Sequence, residues 1–113
     1  MKIGKTDRII EKRFYYEVKK KLCEIYPNEE FEISNSRYTG DHLYKVIRKK
    51  FIHKDIRKNI CKIQRNWNSL TSKYEEWEVT SYLEKYNDII MKMAKNFKHC
   101  KIDTYYEDFN GFD

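Results

Sequence analysis

The chain has 113 residues, enough for one domain that buries its own core, and carries 24 Lys or Arg against 18 Asp or Glu, a formal charge of +6. Aromatic residues make up 16% of it, which argues against disorder, and no apolar run approaches the roughly 18 residues of a membrane span. Three widely spaced cysteines, Cys23, Cys61 and Cys100, read as reduced thiols rather than a disulfide framework, and MKIGKTDRII lacks an apolar signal core, so the cytosol is the expected location.

Over residues 7–26, Ile10, Phe14, Val18, Leu22 and Ile25 recur at steps of four, four, four and three, which predicts a helix. Thr6 or Asp7 can cap its start and Pro27 stops it. Lys12, Arg13, Lys19 and Lys20 lie on the other side, partly balanced by Glu11, Glu17 and Glu24.

Residues 30–38 alternate, with Phe31 and Ile33 on one face and Glu32, Ser34 and Ser36 on the other. Thr39-Gly40-Asp41 reads as a turn, and residues 43–51 as a returning strand. The competing reading starts a helix at Asp41 and runs it into the next segment.

From Ile52 the spacing of Ile52, Ile56, Ile60, Ile63 and Trp67 predicts a second helix, with Lys54, Arg57, Lys58, Lys62 and Arg65 on its outer face. Cys61 falls near its polar side, and Cys23 beside the core stripe of the first helix. Extending this helix back to Lys45 would put Lys45 and Lys49 in the apolar stripe, so a break is expected near Phe51. Residues 66–72 end it in a polar loop.

Residues 75–80 are either a short strand or the lead-in to a helix. Ser81 and Glu84 match a capping box, and Tyr82, Tyr86, Ile89, Ile90, Met93 and Phe97 predict a helix to about Phe97. Lys92, Lys95 and Lys98 complement its C-terminal dipole. In the polar, aromatic tail, Ile102, Thr104 and Tyr106 suit a short strand. Tyr105, Tyr106, Phe109 and Phe112 either fold back over the core or dock on a partner. The expected fold is α+β, a small two-layer domain spanning residues 1–113. Its order is helix, β-hairpin, basic helix, possible short strand, helix and aromatic, acidic tail.

Charge is concentrated. Between Lys45 and Arg65 stand nine Lys or Arg residues against one acid, Asp55, so the rest of the chain is slightly acidic. A cluster of that kind suits a polyanion, above all nucleic acid. The candidate contacts are Arg37, Tyr38, Tyr44, Lys45, Arg48, Lys49, Lys50, Lys54, Arg57, Lys58, Lys62 and Arg65. The cations would line phosphates and the tyrosines would stack on bases. The competing reading is a solvated lysine face. Ala and Pro each occur once and Gly three times, while Lys, Ile, Asn and Tyr abound, the bias of an AT-rich genome.

No phosphate-cradling glycine loop or nucleophile elbow is present. His99 and Cys100 adjoin, with His42, His53, Cys23 and Cys61 elsewhere, but none shows zinc-ligand spacing. Asp103, Glu107 and Asp108 with Lys101 are the one arrangement suited to a Mg²⁺ nuclease, and surface charge balance explains them as well. No catalytic residue, metal or cofactor is therefore expected.

VKKKLCEIYPNEEFEISNS (18–36), a basic helix ending in an aromatic-Pro pair before an x-F-x-[IV]-x-S strand, resembles the opening of a small α-β-β-α module. That module occurs in large polyvalent proteins of phages and conjugative elements. YNDIIMKMAKNFKHCKIDTYYEDF (86–109) is similar to its closing helix and aspartate-tyrosine tail. Where the module's second strand carries a tryptophan-aspartate-glycine segment, this chain has RKKFIHKD (48–55). The resemblance implies a mobile-element origin and no particular activity.

The first expectation is thus a non-enzymatic accessory protein of a phage or mobile element, binding nucleic acid or a nucleoprotein. A host-defence inhibitor of the anti-CRISPR kind would fit, with positive charge favouring obstruction of a guide RNA or target strand. The second is a DNA-binding regulator with residues 52–67 as recognition helix. The third is a small metal-dependent nuclease. No membrane or small-molecule partner is expected.

Overall fold

The computed structural model describes residues 5–36, 40–65, 67–96 and 100–104. Helix α1 (Lys5–Ile25) leads into strands β1 (Glu30–Ser36), β2 (Gly40–Lys49) and β3 (Lys54–Gln64). A small hairpin of β4 (Trp67–Asn68) and β5 (Lys73–Tyr74) follows, then β6 (Trp77–Ser81), α2 (Glu84–Ala94) and β7 (Cys100–Thr104). The main sheet has five strands in the order β1-β2-β3-β6-β7. The first four are antiparallel neighbours, and β7 joins β6 in parallel, with α2 as the crossover.

The first helix and the two hairpin strands form close to where their patterns predict, except that Gly40 and Asp41, expected in the turn, belong to β2, which ends at Lys49 rather than at Phe51. Phe14, Val18 and Leu22 are fully buried, and so is Tyr15, which the stripe omitted. Ile25, at the end of that stripe, is exposed. The helix begins by Lys5, so Thr6 and Asp7 lie inside it rather than at its cap. The Tyr26 N–H still bonds the Leu22 carbonyl before Pro27 ends the ladder.

The basic helix expected from Ile52 does not form. Residues 54–64 are β3, and the fold has two helices among the described residues, not three. The order helix, hairpin, helix, strand, helix is therefore overturned by helix, strands, helix, strand. The physical reason lies in the spacing. Residues four apart share a face in a helix and also in a strand, whose period is two. Ile56 and Ile60 satisfy both. The helical signature was the step of three from Ile60 to Ile63, and a β-bulge supplies it. Leu43 pairs with Cys61 while Tyr44 pairs with Asn59, so Ile60 is an extra residue in β3. Ile60, Cys61 and Ile63 are all buried. The freed Ile60 carbonyl accepts the Tyr82 N–H at 2.9 Å.

Both helices cover one face of the sheet. Phe14, Val18 and Leu22 of α1 and Tyr86, Ile90 and Ala94 of α2 meet Phe31, Leu43, Ile63, Trp77 and Val79 in a single core. Tyr15 bolts α1 to the sheet. Its hydroxyl donates to the Asp41 carbonyl at 2.7 Å and accepts the Ile63 N–H at 2.9 Å. The expected capping box is absent: Ser81 ends β6 and is buried, while Leu83 occupies the N-cap without a side-chain bond. Glu84 in the first turn complements the dipole instead. α2 stops at Ala94; Phe97 and Lys98 lie outside the described residues.

Candidate nucleic-acid interface

The geometry of the candidate site follows from where strand pairing stops. β2 pairs with β1 only as far as Val46, and β3 pairs with β6 only from Cys61 onward. Between them, β2 and β3 stay paired out to Lys49 opposite Lys54. Residues 47–56 therefore form a two-stranded arm with no described strand on either side. Four residues, Lys50 to His53, close its tip. His53 adopts φ 49°, a left-handed turn position that His tolerates better than most residues.

Alternation along the arm divides the cations. Register places Lys45 opposite Lys58, Ile47 opposite Ile56 and Lys49 opposite Lys54, all on the helix side of the sheet. Arg48, Arg57 and Lys62 fall on the other side. The continuous outer face expected of a helix is thus split between two faces of a sheet.

Three groups of predicted contact residues behave differently. Arg48 is engaged by three carboxylates: Glu30 at 2.9 Å, Asp55 at 2.7 Å and Glu32 at 3.5 Å. The charges of Glu30 and Asp55 push its pKa up. Tyr44 is only 8% exposed, donates its hydroxyl to Glu32 Oε2 at 2.6 Å and lies under the Arg57 guanidinium at 5.6 Å. It has no face left for a base. Arg65 is also occupied by the fold, donating to the Glu75 carbonyl at 3.1 Å and stacked on Tyr74 and Trp77. Lys62 is half-buried, across from Thr80.

At the base of the arm, Lys45 bonds Glu29 at 2.9 Å, and Lys85 reaches the same carboxylate at 2.7 Å. The Tyr86 hydroxyl also donates to Glu29. Burial works against the Glu29 charge, but the bonds from Lys85, Tyr86 and Lys45 outweigh it and bring its pKa down to about 2. Lys58 lines the same cleft, which measures about 660 Å³.

The tip is the third group. Lys49, Lys50 and Lys54 are exposed, and no described carboxylate lies within ion-pair distance of them. Between them stand Phe51, 100% exposed, and Ile52, 63% exposed. From the sequence, Phe51 serves as a break and Ile52 as the first position of an apolar stripe, so both are missed as contacts. The signal was present as an apolar pair bracketed by lysines, K-K-F-I-H-K, between two Ile- and Val-rich runs. Lys85 and Glu29 were missed because nothing local links them.

Arg37 and Tyr38 lie outside the described residues, as do His99, the aromatic tail and the side chains of Cys100, Lys101 and Asp103. Among the described residues no group of three His, Cys, Asp or Glu side chains is placed to hold a metal ion, and no helix is long and apolar enough to cross a membrane. Cys61, expected near a polar face, is in the core, where burial pushes its thiol pKa up; Cys23 is exposed instead of beside the core. The chain matches no family model, no curated protein and no solved structure.

Proposed function

We propose that this protein binds nucleic acid by its phosphates through the β2–β3 arm. The observation that carries the reading is the tip, where three exposed lysines surround an exposed apolar pair with no described carboxylate to neutralise them. The contact surface is smaller than the twelve residues named from the sequence. Its centre is Lys49, Lys50 and Lys54, with Arg57 on the opposite face. Lysines act on phosphate as point charges, so affinity would come from counterion release rather than base reading. The segment expected as a recognition helix is β3, and a groove-reading helix is not available there.

Fluorescence anisotropy of a labelled duplex between about 50 and 200 mM salt tests this. Wild-type affinity should fall linearly on a log–log plot. The triple variant K49E/K50E/K54E should bind more than about tenfold more weakly, with a slope flatter by about 2.7, roughly 0.9 for each lost phosphate contact. Unchanged binding by that variant would overturn the proposal.

A further inference from the structure

Resting on the nucleic-acid reading above, we infer that the arm enters the minor groove of B-form DNA and drives Phe51, with Ile52 beside it, between neighbouring base pairs, kinking the duplex. Apolar wedges of Phe or Ile that partly unstack a base step are a general device of proteins that bend DNA from the minor groove. The tip has the parts. Phe51 is fully exposed and stands at the apex of a ribbon that has no lateral strand among the described residues. A flat ring occupies about one base-pair rise of 3.4 Å.

The flanking charges fit the same target. Lys49 and Lys54 are directly opposed across the ribbon, a like-charge pairing that is unfavourable in the free protein. A wedge that kinks the duplex toward the major groove opens a minor groove otherwise about 6 Å wide, and the phosphates of its opened walls meet the two lysines and relieve that repulsion. A single strand would serve only one of the two. The wide, shallow minor groove of duplex RNA would not grip the ribbon from both sides.

A lipid surface is the other target for a cationic, apolar tip, and the charge distribution favours DNA. Arg57, exposed on the far face, sits three residues behind Lys54, about 10 Å along the strand. That exceeds the depth of a headgroup layer, about 5–8 Å, whereas a phosphate-walled groove can contact an arm along that length.

The test is a duplex of about 25 base pairs with donor and acceptor dyes on its ends, titrated with protein, alongside permanganate reactivity of thymines as a report of unstacking. Wild type should shorten the end-to-end distance and expose one step to permanganate. Phe51→Ala should keep affinity within about tenfold and keep the salt slope, yet leave the duplex straight. Phe51→Leu should retain part of the bend, since leucine also serves as a wedge. Tight binding to a duplex that stays straight, or a bend undiminished in F51A/I52A, would overturn the wedge and leave phosphate binding standing. Preference for single strands or duplex RNA would also overturn it. Binding to phosphatidylserine vesicles without binding to any nucleic acid would overturn both readings.

Discussion

The two halves of β3 differ in pairing, burial and charge. From Cys61 to Gln64 the strand pairs with β6, Ile60, Cys61 and Ile63 are buried in the core, and the Tyr15 hydroxyl ties the Ile63 N–H to α1. From Lys54 to Asn59 it has β2 as its one strand partner among the described residues, no buried side chain and three of the chain's cations. The bulge at Ile60 separates them. One strand thus serves folding at one end and exposes charge at the other. A substitution's effect should depend on which side of Ile60 it falls.

The largest expected contrast comes from isoleucine truncation. Ile63→Ala should cost about 2–5 kcal/mol in urea unfolding, the usual range for a fully buried aliphatic side chain. Ile56→Ala, on a half-buried rung of the arm, should cost less than about 1 kcal/mol. Equal costs would break the comparison and show the arm to be packed.

Next in size is a pH effect at the base of the arm. The Glu29 pKa is lowered from an ordinary 4.5 to about 2 by Lys85, Tyr86 and Lys45. A carboxylate with a depressed folded pKa stabilises above its unfolded value and loses that contribution as pH falls through the folded one. Stability should therefore drop by about 1–3 kcal/mol between roughly pH 5 and pH 2. Glu29→Gln should be less stable at neutral pH and show a shallower acid slope. An unaltered acid slope in that variant would remove Glu29 as the clamp.

Tyr15→Phe should cost about 1–3 kcal/mol, because it leaves the buried Ile63 N–H without its acceptor. Hydrogen exchange at Ile63 should accelerate while amides in residues 47–56 stay as they were. Equal acceleration at both would mean that the halves open together.

How far the sequence disclosed this arrangement depends on the ambiguity of each spacing. α1 was legible from Phe14, Val18 and Leu22 followed by a proline stop, although Ile25, its one step of three, is exposed. β1 and β2 were legible from alternation, but Gly40 and Asp41, expected in the turn, already pair with β1 as part of β2. β3 was not, since Ile56 and Ile60 fit both periods and the bulge supplied the deciding step of three. Its composition pointed the other way: β-branched isoleucines favour strands, and the segment contains no Ala or Leu. The charge cluster was legible, but its neutralisation was not. Glu29, Glu30 and Glu32 are distant in sequence from Lys45 and Arg48, and only strand register brings them together.

The smallest effect is also the one that separates stability from binding most cleanly. Lys49 and Lys54 face each other at the end of the ladder, where like charges oppose pairing. Lys54→Glu converts that rung to an opposite-charge pair and should stabilise the protein by about 0.2–1 kcal/mol at low salt. The gain should shrink toward zero as salt screens the pair. The same variant should bind DNA more weakly, because it removes one phosphate contact and adds a repulsive one. Stability and affinity would then move in opposite directions at a single position, as expected of an arm whose charges are arranged for a partner rather than for the fold. Loss of both together would mean that residues 49 and 54 do not oppose one another in solution.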